Sequence, residues 1–170
     1  MKIRILNWSS KGFRCPDYEV NLENDGGPYH ISLLQMPNGT GKTTTLELLR
    51  ATLTGEAASW SEKRISELKR NEDEIERGEF ICTLLYDSQR VTFELEANFE
   101  HSYIEYRTTT DKGINEGHHP PRELLPYLTS DFLELFIFDG EYAERLLNRK
   151  HGDAAADKCI ETVFQLSHFY

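Results

Sequence analysis

The sequence is poor in cysteine, poor in positive charge and without a long apolar run. Cys15, Cys82 and Cys159 are odd in number and far apart, which argues against a disulfide framework and against a C-x-x-C zinc site. They read as reduced thiols of a cytoplasmic protein. The start, "MKIRILNWSS", has basic residues but no apolar stretch of about 7–15 residues behind it, so no secretory leader is expected. No run approaches a membrane span, and no membrane partner is expected. Lys and Arg number 19 against 29 Asp and Glu, a formal net charge of −10. That balance opposes indiscriminate nucleic-acid binding. A DNA partner would have to be held by a local basic patch or through a larger assembly. Asn7-Trp8-Ser9 and Asn38-Gly39-Thr40 match the glycosylation pattern by chance.

Apolar material suffices for one folded domain: 170 residues, 38 % hydrophobic, with nine Phe and eight Tyr. "KIRILNW" and "YEVNL" read as strands around a Gly- and Pro-containing segment, and "HISLLQ" as a compact apolar strand. Leu46, Leu49 and Leu53 then recur on one face of a helix that ends near Gly55. "SEKRISELKRNEDEIERG" reads as a solvated helix or arm. "EFICTLLYDSQRVTFELEANF" gives two strands around a polar turn and "SYIEYRTTT" a third, while "DKGINEGHHPP" reads as a loop. "RELLPYL" is a short helix before the apolar run "FLELFIF", read as a strand that ends at Asp139-Gly140-Glu141. A last amphipathic helix covers 154–168, with Ile160, Val163 and Phe164 on one side.

Between the third strand and the first helix lies "LLQMPNGTGKTTTLELL", residues 33–49. It fits the phosphate-loop pattern G-x-x-x-x-G-K-[ST] at Gly41, Lys42 and Thr43, with Met36 where the first glycine would stand. Phosphate oxygens are charged acceptors and need backbone N–H groups turned into one concavity. Glycines permit that turn, and the following helix adds its dipole. Asn38, Gly39, Thr40 and Gly41 form the cradle in this reading, with Thr44 beside it. Lys42 supplies a cation to the phosphates and Thr43 a hydroxyl for Mg²⁺. Strand, glycine turn and helix supply the required context, so a nucleotide and Mg²⁺ are the expected cofactors. Met36 at the strand exit is tolerable if its backbone angle is ordinary.

With that loop, the strands before it and the terminal helix, the chain resembles the N-terminal half of an SMC-like ABC ATPase head of the DNA-repair (SbcC-type) branch. The likeness is greater still to DndD-like ATPases associated with DNA phosphorothioation. The resemblance implies an α/β P-loop NTPase fold: an N-terminal lobe at 1–153 with an antiparallel β-rich subdomain, and the start of a coiled-coil helix at 154–170. In "KGFRC" it implies Arg14 as a basic contact to the nucleotide, with Lys11 its neighbour. In "FIFDGEYAERL" it puts Asp139 where the family usually has Gln, as a Mg²⁺ or water ligand, with Glu141 second. The implied catalytic set is Lys42, Asp139 and Glu141, and the implied metal ligands are Thr43 and Asp139. It further implies the C-terminal half of the same head as partner, a homodimer of ATP-sandwiched heads, and DNA contacted by the assembled protein. Neither an L-S-G-G-like signature nor a second strand with Asp-Glu occurs in the sequence. ATP hydrolysis is therefore expected only once the other half and a second head are present.

Two other readings stay open. One is a self-contained P-loop NTPase or kinase with Asp139 in a Walker B strand, although Gly140 rather than Glu follows it. The other is a nucleotide-sensing module without turnover. His118-His119 beside Pro120-Pro121 reads as an exposed turn rather than a metal site, and Trp8 as core. Tyr103, Tyr106 and Arg107 suggest a weak stacking strip.

Overall fold

The computed structural model describes residues 2–70 and 74–137. They fall into two compact units, divided after Pro120, which are taken separately. In the first, six antiparallel strands form a sheet in the order β2-β1-β5-β6-β7-β8. The strands are β1 (Ile3–Lys11), β2 (Tyr18–Asn21), β5 (Arg77–Tyr86), β6 (Gln89–Asn98), β7 (Tyr103–Thr110) and β8 (Gly113–Glu116). A small ribbon, β3 (Glu23–Asn24) and β4 (Gly27–Pro28), precedes the phosphate-loop segment.

Alternation with period two sorts the sheet's side chains. Leu6 and Trp8 of β1, Phe80, Cys82 and Leu84 of β5, Val91, Phe93, Leu95 and Ala97 of β6 and Tyr106 of β7 are buried. Trp8 stacks on Phe80 with centroids 5.8 Å apart, as its core reading requires. The opposite face is polar. There the register sets Lys11 against Glu79, Glu79 against Glu96, and Glu96 against Glu105. Arg107 pairs with Glu94 at 2.8 Å and Arg77 with Glu96 at 2.7 Å. Tyr106 faces the core while Tyr103 and Arg107 face outward, so the three do not form one stacking strip.

Helix α1 (Lys42–Thr54) lies against β5 and β6, with Leu48, Leu49, Ala51, Thr52 and Leu53 buried. Leu46, expected in the apolar stripe, is only half-buried. Gly55 in the left-handed conformation (φ 77°) ends the helix, its N–H bonded to the Ala51 carbonyl. The phenol of Tyr106 donates to that same carbonyl at 2.8 Å and accepts from the Ala57 N–H at 3.2 Å. A 3₁₀ turn (Glu56–Ser59) and a short helix α2 (Glu62–Ser66) follow.

Other expectations change as well. The charged run after α1 is not merely a solvated arm, because Ile65 and Leu68 are fully buried. Its Arg64 bonds Glu47 of α1 and lies 5.8 Å over the Trp60 ring. "HISLLQ" forms no strand, since among the described residues nothing pairs with it. "DKGINEGHHPP" is not all loop, because Gly113–Glu116 adds β8 to the sheet edge. His118 is no exposed turn residue: it stacks on Phe93 at 5.1 Å and meets the Leu53 carbonyl at 3.1 Å.

In the second unit a 3₁₀ turn (Arg122–Tyr127) precedes α3 (Ser130–Phe136), which is capped by the Thr129 hydroxyl accepting from the Phe132 N–H at 3.3 Å. The apolar run expected as a strand is thus helical through Phe136. Leu, Glu and Phe are adequate helix formers, and Thr129 supplies the start signal that the apolar count alone overlooks. The boundary at 153, the helix 154–168 and Cys159 lie outside the described residues. Among the described residues no helix is long and apolar enough to cross a membrane.

Candidate nucleotide-binding site

The loop into α1 has the conformation that its glycines predict. Gly39 and Gly41 have φ of 80° and 78°, in the left-handed region. Met36 is not among the residues with positive φ, so its backbone asks nothing that only glycine can give. Its carbonyl accepts a hydrogen bond from Lys42 Nζ at 3.3 Å, a contact that any residue at that position supplies. Lys42 Nζ also reaches Asn38 Oδ1 at 3.0 Å, and the Thr40 hydroxyl closes the loop on the Pro37 carbonyl at 2.7 Å.

Gly41 is the N-cap of α1 and brings no side-chain cap. The first-turn N–H groups therefore lack the acceptor that Ser, Asp or Asn would provide, and the helix dipole adds partial positive charge there. Above Gly39 the space is open, with no atom within 4 Å of where a Cβ would sit. Lys42 and Thr43 are exposed at this rim. These features fit a phosphate group and a magnesium ion that takes most of its oxygens from phosphate and water. Among the described residues no cluster of His, Cys, Asp or Glu forms a self-sufficient metal site.

Beneath the loop lies the turn between β1 and β2, residues 12–17. A Cβ at Gly41 would come within 2.8 Å of Cys15 Cβ and 2.9 Å of its Cα. Glycine is required here for close approach as well as for its φ. Cys15 is fully buried and meets the Ser10 hydroxyl at 3.2 Å, so this thiol packs beneath the loop. Arg14 Nε donates to Thr44 Oγ1 at 3.2 Å, which brings two of the predicted residues together at the first turn of α1. Lys11 is not brought to them, because it lies on the sheet's outer face opposite Glu79. Asp17 closes the turn by accepting from the Gly12 N–H at 2.9 Å and from Arg70 at 2.5 Å. Desolvation raises its carboxyl, but those bonds and the charges of Arg70 and Lys11 outweigh it and hold Asp17 below the usual carboxylate range. Asp139 and Glu141 lie outside the described residues.

A family model described as an AAA domain matches residues 3–161. The chain belongs to this AAA domain family. Its phosphate loop is thus that of a nucleotide-binding ATPase, and such AAA domains generally bind ATP with Mg²⁺. A comparison with curated proteins gave no match.

Two features of this AAA domain were not legible as site elements. Arg70 stands in a run whose composition predicts a solvated segment, and nothing in the sequence sets Cys15 apart from an ordinary thiol. The available signal was Ile65 and Leu68, three apart within the charged run, which marks one buried side of that segment.

Proposed function

We propose that this domain is the ATP-binding half of an SMC-like ATPase head, of the SbcC and DndD kind, that couples ATP binding and hydrolysis to DNA processing. The observation that carries this reading is the segment leading into the phosphate loop. Ile31 and Leu33 are 91 % and 93 % exposed and Leu34 49 % exposed, in a run that pairs with no strand among the described residues and whose composition is that of a buried strand. Such a run has unpaired backbone donors and acceptors and an apolar face, both of which a neighbouring strand would satisfy. A completing half that pairs with residues 31–35 would extend the fold beside the loop. It would also bring charge to the open side of the phosphates.

Chemistry points the same way. Phosphoryl transfer needs charge stabilisation around the γ-phosphate and an oriented water. Among the described residues Lys42, Thr43 and Arg14 gather at one end of α1. Lys42 and Arg14 would neutralise phosphate charge, Thr43 would hold Mg²⁺, and Asp139 with Glu141 would serve the metal or the water. Two heads sandwiching ATP would complete each site.

Steady-state ATPase assays test the reading. The chain alone should turn over negligibly, and addition of the C-terminal half should give activity that rises more than linearly with concentration. Leu33→Asp should weaken that reconstitution, and Lys42→Ala should abolish it. Brisk, concentration-independent turnover by this chain alone would establish a complete small NTPase instead.

A further inference from the structure

The turn under the phosphate loop is itself held from a distant point in the chain. Arg70 Nε donates to the Phe13 carbonyl at 3.1 Å, and its Nη2 donates to the Cys15 carbonyl at 3.2 Å and to Asp17 at 2.5 Å. Three acceptors spread over five residues suit a planar guanidinium with donors at fixed angles. A single ammonium cannot span them in the same way. Neighbouring backbone reinforces the grip: the Arg14 N–H donates to the Leu68 carbonyl at 2.8 Å, and Phe13 bridges to Lys69. On its other side the turn meets the loop twice, through Arg14 on Thr44 and through Cys15 under Gly41.

We propose that Arg70 is a positioning residue of the nucleotide site: its guanidinium, fixed on Phe13, Cys15 and Asp17, sets Arg14 against the first turn of α1. The inference rests on the nucleotide-binding reading of the loop. Arg70 then acts on nucleotide affinity through Arg14, and charge at position 70 without the fork does not suffice.

Titration of Mg·ATP into the full chain tests this, with Arg70→Ala and Arg70→Lys each made in wild-type and Arg14→Ala backgrounds, and Lys42→Ala alongside. Arg70→Ala should weaken binding at least about tenfold in the wild-type background but less than about threefold once Arg14 is gone, since the two share one path. Arg70→Lys should behave like Arg70→Ala. Equal losses in both backgrounds, wild-type affinity in either Arg70 variant, or rescue by lysine would overturn the proposal. Thermal melts accompany each titration, and if Arg70→Ala is unfolded at the titration temperature, the Arg70→Lys pair decides by the same criterion. Wild-type binding that is lost in Lys42→Ala but kept in the Arg70 variants rejects Arg70 alone. Equal behaviour of wild type and Lys42→Ala rejects the nucleotide reading, and this proposal with it.

Discussion

Gly39 and Gly41 offer a paired test of how the loop is built. Both have φ near 80°, and alanine at either must take the left-handed region, which costs about 1–2 kcal/mol. At Gly39 that is the whole penalty, because a Cβ there meets nothing within 4 Å. At Gly41 the added carbon overlaps Cys15 Cα and Cβ at 2.9 and 2.8 Å. Those atoms belong to a turn fixed by Arg70 and Asp17, so they cannot yield as the end of a flexible side chain would. Overpacking of this kind adds about 1–3 kcal/mol. Gly41→Ala should thus destabilise by roughly 2–5 kcal/mol in total. In a domain of this size each kcal/mol moves the melting temperature by about 2–4 °C. Calorimetric melts of the nucleotide-free chain should place Gly41→Ala at least about 2 °C below Gly39→Ala. Melts that agree within about one degree would refute the close approach of Cys15, and with it the account of the turn as the loop's floor.

Tyr106→Phe should cost about 1–3 kcal/mol in urea unfolding, because the Ala57 N–H loses its acceptor, whereas the Ala51 carbonyl keeps the Gly55 N–H. Leu68→Ala should cost about 2–5 kcal/mol, against less than about 0.5 kcal/mol for the exposed Glu67→Ala. Equal effects would restore the charged run to a solvated face. His118 is held below its ordinary value of 6.5, first by desolvation and then by His119, against the opposing pull of the Leu53 and Thr52 carbonyls. Its stabilisation is therefore full above about pH 6.5 and is lost as the pH falls from there through the folded value. His118→Gln should flatten that acid-side decline in denaturant midpoints, and an unchanged profile would mean that His118 does not cause it. If Asp139 serves the Mg²⁺ or the water as proposed, Asp139→Ala in the reconstituted head should cut turnover far more than nucleotide binding, since that contact would matter most in the transition state. Unchanged turnover there, with Glu141→Ala also silent, would make this stretch structural.

Where a residue's role follows from local chemistry, the sequence shows it. The loop from Asn38 to Thr44, the helix ending at Gly55 and the hairpin of β5 and β6 are all written in short-range patterns of glycine, charge and alternation. Met36 was legible as tolerable, and its ordinary φ gives the reason. What escaped depends on contacts between distant segments. Ile65 and Leu68 look too sparse to be core until the β1–β2 turn closes on them. Arg70 looks solvated until three acceptors 53 to 57 residues away are brought to it. "HISLLQ" has the composition of a strand, but a strand exists only where a neighbour supplies hydrogen bonds. Propensity cannot supply that neighbour. The helix at Ser130–Phe136 shows the converse, a short apolar run whose period does not separate helix from strand and whose cap decides.

The outer face of the sheet carries a further consequence. Glu79, Glu96 and Glu105 stand directly opposite one another across three strands, an arrangement that like-charge repulsion disfavours. Arg77, paired with Glu96, relieves part of it, and water screens the rest. Such a row repels any polyanion that approaches broadside, while the basic side chains Lys42 and Arg14 lie at the start of α1. The sheet thus works as an electrostatic bumper. On the proposed DNA-processing role, a nucleic acid drawn to the assembled protein would be steered away from this wall, so the domain's charge layout would fix the side from which a duplex can approach before any specific contact forms.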